Sequence, residues 1–221
     1  MLKKTGVKIE LLTDIDKILF VERNIRGGLS FISERLVSCE KENEEMIFVD
    51  ANNLYGDSMS DLLPLNNYAW IEDSHLRDDS IDWSTIDTQG EDGFILEVDL
   101  SYPEELHSNH NSYPLAPEKL VIDESMLSPY ARQVHRTLNG EDKKYKAQKL
   151  TCTFLPRMNY VCHFANLQLY LKLGMRLEKV HRVLTFKQAR FLQPYIGYCT
   201  EKRKQSTSSF QGSVFKLLCN S

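Results

Sequence analysis

Residues 46–56 read Met-Ile-Phe-Val-Asp-Ala-Asn-Asn-Leu-Tyr-Gly. A short apolar run stops abruptly at a carboxylate, Asp50, and Asn52, Asn53 and Gly56 then force a turn. This arrangement suits a divalent metal. A buried strand would fix the carboxylate, and the turn would offer backbone groups to phosphate oxygens. Mg²⁺ is commonly held by one or two carboxylates together with substrate phosphates. An aspartate that merely opens a turn after a strand would look the same. A second segment, Lys216-Leu-Leu-Cys-Asn220-Ser221, places a lysine and an amide four residues apart, on one face if helical. Such a pair can meet a triphosphate and a base edge, and a plain basic helix surface is the alternative. The basic run Lys202-Arg203-Lys204 precedes it.

Other groups compete for attention. Glu97 and Asp99 point the same way from one strand and could share a metal, but the wet face of a sheet is the plainer expectation. His107-x-x-His110 has helical metal-ligand spacing within a Pro-rich stretch, where a surface loop is expected. Tyr160, Phe164 and Tyr170 could form a stacking platform, and core packing is the simpler reading.

The elements that would position these groups follow from the pattern. Residues 7–22 begin with alternation, and Asp14 then caps a helix ending near Glu22. Arg26-Gly27-Gly28 is a break where backbone can approach a ligand closely. Residues 47–49 read as a buried strand and 57–63 as a short helix stopped by Pro64. Residues 71–92 are acidic and read as an exposed loop. Residues 94–100 alternate as a half-buried strand, with Phe94, Leu96, Val98 and Leu100 on one face. Residues 101–130, with four prolines, read as an irregular excursion, and 132–150 as a basic loop or hairpin. Helix is expected over 159–170 and 171–181, strand over 177–186, helix from there to about Lys204, and an amphipathic segment over 210–220.

Composition sets the outer limits. Of 221 residues, 42% are hydrophobic and 26% charged, an ordinary globular balance. No apolar run approaches the ~20 residues of a membrane span, and no apolar stretch behind the Met-Leu-Lys-Lys start makes a signal peptide. Five scattered cysteines without a Cys-x-x-Cys pair fit a reducing, intracellular compartment, the nucleus among them. Residues 131–221 hold 17 Lys and Arg against 4 Asp and Glu, net +13; residues 1–130 hold 10 against 27, net −17. The basic part is what a polyanion-binding surface looks like, while two halves that attract each other within one fold would give the same numbers.

Taken together, the motifs carry a resemblance. Asp50-Ala51-Asn52-Asn53-Leu54-Tyr55-Gly56 resembles motif A of family B DNA polymerases, usually Asp-x-x-Ser-Leu-Tyr-Pro. Lys216-x-x-x-Asn220-Ser221 resembles the start of motif B, Lys-x-x-x-Asn-Ser-x-Tyr-Gly. Ile25-Arg26-Gly27-Gly28 looks like the Gly-Gly element before motif A in the protein-primed branch. Glu97-Val98-Asp99-Leu100-x-Tyr102-Pro103, Tyr113-Pro114-Leu115-Ala116-Pro117-Glu118 and Thr200-Glu201-Lys202-Arg203 are similar to polymerases of Polinton/Maverick-type self-synthesising transposons.

The resemblance implies an α+β chain: a partial polymerase palm, with an antiparallel sheet and helices, plus an insertion and the edge of the fingers. Its parts would be residues 1–45 before motif A, 46–100 with the palm segment, 101–185 insertion-like, and 186–221 as basic fingers helices. Strands 47–49 and 94–100 would share the sheet, with Asp50 at a strand end in a surface cleft. Asp50 and the backbone carbonyl of Ala51 would hold Mg²⁺. Backbone amides around Asn53 and Leu54, with Lys204 and Lys216, would bind the triphosphate. Tyr55 would pack under the sugar and reject a 2′-hydroxyl, and Asn220 would line the nascent base pair. Arg26, Gly27, Gly28, Lys202 and Arg203 would meet DNA. The implied reaction is two-metal transfer of a deoxynucleotide to a primer 3′-hydroxyl. The implied partners are primer-template DNA, dNTPs and a terminal priming protein, with no membrane. The resemblance also implies departures and limits. Asn53 and Gly56 stand where the wider family has Ser and Pro, and Gly212 where transposon relatives often have Lys. Motif C, with the other metal carboxylate, would lie beyond Ser221. A non-catalytic nucleic-acid-binding remnant of a transposon polymerase is the alternative.

Overall fold

The computed structural model describes residues 5–34, 36–72, 81–140 and 143–219. Helix α1, Ile15–Asn24, starts where the Asp14 carboxylate accepts the Asp16 N–H at 2.9 Å and ends at the extended Ile25. Helix α2, Leu54–Met59, follows the motif A turn. Strand β1 spans Leu63–Trp70 and β2 Asp92–Ser101. A 3₁₀ turn, Glu104–Leu106, runs into the single helical turn α3, His107–His110. Strand β3, Glu118–Asp123, precedes α4, Pro129–Asn139, which Ser128 caps through the Ala131 N–H at 3.1 Å. Pro129 at the helix start costs no hydrogen bond, and Gly140 ends the helix at φ 94°. Then come β4, Lys146–Thr151; β5, Arg157–His163; α5, Phe164–Lys172; β6, Arg176–Ala189; α6, Gln193–Lys204; and α7, Ser209–Cys219.

Four strands form one antiparallel sheet in the order β1-β6-β2-β5, and β3 pairs with β4 as a separate ribbon. The architecture is α+β. One sheet face buries Leu96, Val98, Leu100, Tyr160, Cys162 and Val183 against Phe164 and Leu167 of α5. The other buries Ile95, Val161, Leu184 and Phe186 under Phe20 of α1. Gly93 is the close approach of this face: a Cβ there would lie 2.2 Å from the Phe186 ring.

Residues 10–26 lie across this second face and touch both of its outer strands. The Glu10 N–H donates to Leu65 O at 3.0 Å, the Asn67 N–H to Glu10 Oε2 at 2.6 Å, and Lys17 Nζ to Tyr68 O at 2.8 Å, all on β1. At the far side Arg23 Nη2 donates to Asn159 O and Arg26 Nη2 to Val161 O, at 2.7 and 2.8 Å, on β5.

Several expectations from the sequence are corrected. Residues 47–49 form no strand and share no sheet with β2; Ile47, Phe48 and Val49 are 76, 94 and 82% exposed. Strand propensity is realised only against a partner, and the described chain pairs none with this run. Asp50 therefore follows a segment without regular structure. The helix expected over 57–63 begins earlier, at Leu54, and Pro64 enters β1 instead of stopping it, which an outer strand tolerates. Residues 159–163 are strand, and helix begins only at Phe164, where the His163 side chain accepts the Ala165 N–H. The excursion at 101–130 contains β3 and its turns of helix, and 132–150 contains most of α4. Within the acidic loop Trp83 is buried; residues 73–80 lie outside the described set. The strands β5 and β6, from the insertion-like span, join the same sheet as β2.

The Glu97–Asp99 pair is not a wet face. Glu97 is 6% exposed and pairs with Arg23 Nη1 at 2.7 Å and Arg182 Nε at 2.8 Å. Asp99 accepts the Asn159 N–H at 2.7 Å and lies 2.8 Å from His181 Nε2. Burial alone would raise both carboxyls, but the hydrogen bonds and charges of these partners outweigh it and hold both below their usual values. Their stabilisation is therefore present above the unfolded pKa of about 4 and is lost as pH falls through the lower folded values. Glu97→Gln is expected to lower Tm at pH 7, and the gap to the unmodified protein should shrink as pH drops below about 4. Thermal melts from pH 7 to pH 3 check this; a gap independent of pH would show that the charge on Glu97 contributes nothing.

Candidate functional site

The motif A turn is built on an unusual backbone. Asn53 adopts φ 57°, ψ 46°, a left-handed conformation that Asn tolerates better than most residues. Its carbonyl accepts the Asp57 N–H at 3.0 Å and so starts α2. Asp50 and Ala51, just before the turn, are exposed, as are Leu54 and Tyr55 within it.

Across from this turn stand α6 and α7, packed on each other with Cys199 and Cys219 buried and the Tyr195 hydroxyl donating to Leu218 O at 3.0 Å. Between them and the turn opens a cleft of about 810 Å³. Asn52, Asn53 and Gly56 line one wall, and Arg203, Lys204 and Cys219 belong to the opposite side. Arg190, which the motifs did not single out, ties the walls together. It donates to Ser60 O at 3.2 Å and pairs with Asp61 at 2.8 Å, so the residues after α2 and the entry to α6 are fixed to each other. No residue-type signal marks Arg190 in the sequence; its role comes from β6 ending beside α2.

The structure brings together only some of the expected residues. Asn53, Lys204 and Arg203 meet at the cleft. Lys216 is exposed on α7, one helical turn before Cys219. Lys202 lies exposed on α6, with Nζ 6.0 Å from the Tyr198 ring centroid. Asn220 lies outside the described residues. Arg26 stands elsewhere, with its guanidinium 4.0 Å over the Tyr160 ring and bound to β5, and Gly27 and Gly28 follow it exposed.

The charge division also becomes concrete. Arg157, Arg176, Arg182, Lys187 and Arg190 of the basic half pair with Glu118, Glu105, Glu97, Asp92 and Asp61 of the acidic half. Part of the asymmetry is thus internal attraction. Among the described residues no ion pair includes Lys202, Arg203, Lys204 or Lys216 on α6 and α7, nor Lys143, Lys144, Lys146, Lys149 or Lys172, so cations without an ion pair are spread over the basic half. For Mg²⁺ the donor set is incomplete: among the described residues no three His, Cys, Asp or Glu side chains gather where they could hold a metal. Asp50 by itself does not make a two-metal site.

The class of fold is an α+β arrangement of a curled antiparallel sheet with helices, distantly polymerase-like. The particular match among solved structures is "Phi29 DNA Polymerase, orthorhombic crystal form", at 15% sequence identity and a TM-score of 0.55. The superposition covers 99% of this chain and 32% of that one, so this chain spans about a third of the polymerase's length. No family model and no curated protein sequence matches. Among the described residues no helix is long and apolar enough to cross a membrane.

Proposed function

We propose that this chain is the motif A side of a protein-primed family B DNA polymerase, a nucleotidyltransferase that extends a primer on DNA. The observation that carries the reading is the cleft in which the turn after Asp50 faces Arg203 and Lys204, with Asp57 and Glu201 also in its lining. A triphosphate is the anion that such a pairing of turn and cations suits. In this reading Asp50 and the Ala51 carbonyl serve as metal ligands, Mg²⁺ neutralises phosphate charge when bound, and Leu54 and Asn53 shape the turn. Tyr55 excludes a 2′-hydroxyl, Lys216 reaches the triphosphate, and Asn220 the base pair. Arg203 and Lys202 meet the DNA backbone. The partners are primer-template, dNTPs and a terminal priming protein; the setting is intracellular.

Two measurements test this. The 221-residue chain should bind primer-template DNA with an affinity that falls steeply with salt, and should not extend the primer, because among the described residues no three metal-binding side chains gather beside Asp50. Salt-independent binding, or none, would sink the nucleic-acid reading. In a chain that also carries a second metal carboxylate, Asp50→Ala should reduce extension roughly 10³-fold or more with DNA binding nearly unchanged. Lys216→Ala should raise the KM for nucleotide and lower kcat together. The incomplete donor set favours the second reading, a DNA-binding remnant without chemistry. Under it Asp50→Ala changes nothing in such a reconstituted chain.

A further inference from the structure

We infer that Cys199 and Cys219 form a peroxide-sensitive dithiol, whose oxidation to a disulfide pins α7 to α6. This pairing stands on the packing of the two helices and holds with or without the polymerase reading. Among the described residues α6 is the element that α7 packs against most. The contact is closed at the end of α7, where the Tyr195 hydroxyl donates to Leu218 O at 3.0 Å. Cys199 follows Tyr195 by one turn of α6, and Cys219 is the residue after Leu218, so the same contact brings the two thiols together. Both are buried, 1 and 3% exposed, and their side chains hydrogen-bond to each other. Cys219 also lines the cleft between the motif A turn and α6, which gives a small oxidant a route to it. The other cysteines lie outside these helices: Cys39 is exposed, Cys152 is half-buried just after β4, and Cys162 is packed in the sheet core.

The step balances with hydrogen peroxide as the oxidant. The Cys219 thiolate attacks one peroxide oxygen, the O–O bond breaks, and the other oxygen takes up a proton and leaves as water, so that Cys219 becomes a sulfenic acid. The Cys199 thiolate then attacks that sulfur, the S–S bond forms, and the sulfenic oxygen leaves as a second water. The two thiols lose two electrons, and one peroxide becomes two waters. Thiols in hydrogen-bond contact reach the S–S length of about 2.05 Å by side-chain rotation and a small approach of the helices. Burial and the neighbouring Cys199 hold the Cys219 thiol above its ordinary value, against the pull of the Arg203 charge, so the pair responds to peroxide in excess and rests reduced otherwise. The loop closed by the bond contains the whole of α7, which therefore cannot open away from α6 while the bond is intact.

The test uses the 221-residue chain with Cys39→Ser, which removes the exposed thiol that would join two molecules. The reduced protein is treated with excess hydrogen peroxide in mildly alkaline buffer, then unfolded, alkylated, digested with trypsin and mapped by mass. The peptides that hold Cys199 and Cys219 should appear joined, lighter than their sum by two hydrogens, and should separate again in dithiothreitol. Amide hydrogen exchange over α7 should slow roughly tenfold or more in the oxidised form, and adding Cys199→Ser should remove both effects. Alkylation of both cysteines after oxidation, a link to Cys152 or Cys162 instead, or Cys219 driven to a sulfinic acid without a link would overturn the dithiol. A Cys199–Cys219 link with unchanged exchange over α7 would overturn the pinning. If Cys199→Ser fails to fold, the mass map and the exchange of the Cys39→Ser chain decide the matter, since they need no second substitution.

Discussion

Arg157→Met is expected to lower the unfolding free energy by about 3–5 kcal/mol, the range for removing one partner of a buried ion pair. Arg157 is fully buried at the start of β5. Its Nε donates to Ala116 O at 2.7 Å, Nη2 to Thr153 O at 2.8 Å, and Nη1 to Thr153 Oγ1 at 3.1 Å and also to Leu155 O. Nη1 pairs with Glu118 at 2.9 Å. One guanidinium thus joins the 113–118 loop, the 151–157 loop and the first residue of β3. Ala116 is itself buried in a left-handed conformation, φ 52°, which persists only because its surroundings over-determine it. Methionine would fill much of the volume but leave the carbonyls and the Glu118 carboxylate without their donor. For a chain of this size the loss corresponds to a Tm lower by roughly 6–20 °C. Arg157→Lys should recover only a minor part, since an ammonium cannot reproduce the planar fork. Calorimetry on the three proteins checks this, and a Met variant with a Tm within about 2 °C of the parent, well below the expected shift, would mean the network carries no net stability.

Gly93→Ala is expected to cost about 3 kcal/mol, at the upper end of over-packing effects. The added Cβ meets the Phe186 ring at 2.2 Å and Gln188 Oε1 at 2.7 Å. Both neighbours are buried, 1 and 5% exposed, so neither can swing into solvent. The double variant Gly93→Ala/Phe186→Leu should be less destabilised than the sum of the two single changes, because the smaller side chain makes room. Additive losses in urea unfolding would show that the strain lies in the backbone and not at the ring.

How far the sequence spoke depended on whether a segment's pattern was produced by its immediate surroundings. β2 was legible because its alternation reports two different faces, and so was β6 over residues 177–186, whereas its last residues, 187–189, were expected to be helical. Asp14 announced α1 through its capping side chain, a purely local interaction. β5 was not legible: Arg-Met-Asn-Tyr-Val-Cys-His carries a buried arginine and polar residues that only distant loops satisfy, so no period shows. β1 was hidden by Pro64, a helix breaker that an outer strand accommodates. The opposite error arose at 47–49, where an apolar run has the propensity of a strand but no described partner. α4 stayed hidden although Tyr130, Val134 and Leu138 recur every fourth residue; none of them is buried, and the surrounding prolines and charges dominate the composition. Of the residues picked out because their types are tied to phosphate chemistry, Asn53, Arg203 and Lys204 line one cleft, whereas Asp50, Tyr55 and Lys216 are not in its lining. The Arg190 tie, the buried pairs of Glu97 and the anchoring of Arg26 to β5 came from tertiary placement alone.

The reach of residues 10–26 from one outer strand to the other has a consequence for how this protein behaves among copies of itself. An open four-stranded sheet presents two rows of unpaired backbone groups, a ready template for the strand of another molecule. Here Glu10 and Lys17 occupy positions on β1, while Arg23 and Arg26 occupy the Asn159 and Val161 carbonyls on β5. A docking strand would have to displace charged side chains from those carbonyls and leave their charges facing its own backbone. Phe20, buried between them, anchors the segment so that both ends stay in register. Resistance to edge-to-edge aggregation is therefore supplied by a stretch of chain distant in sequence from every strand it protects. A change at Phe20 would weaken that protection on both sides at once, without touching either edge.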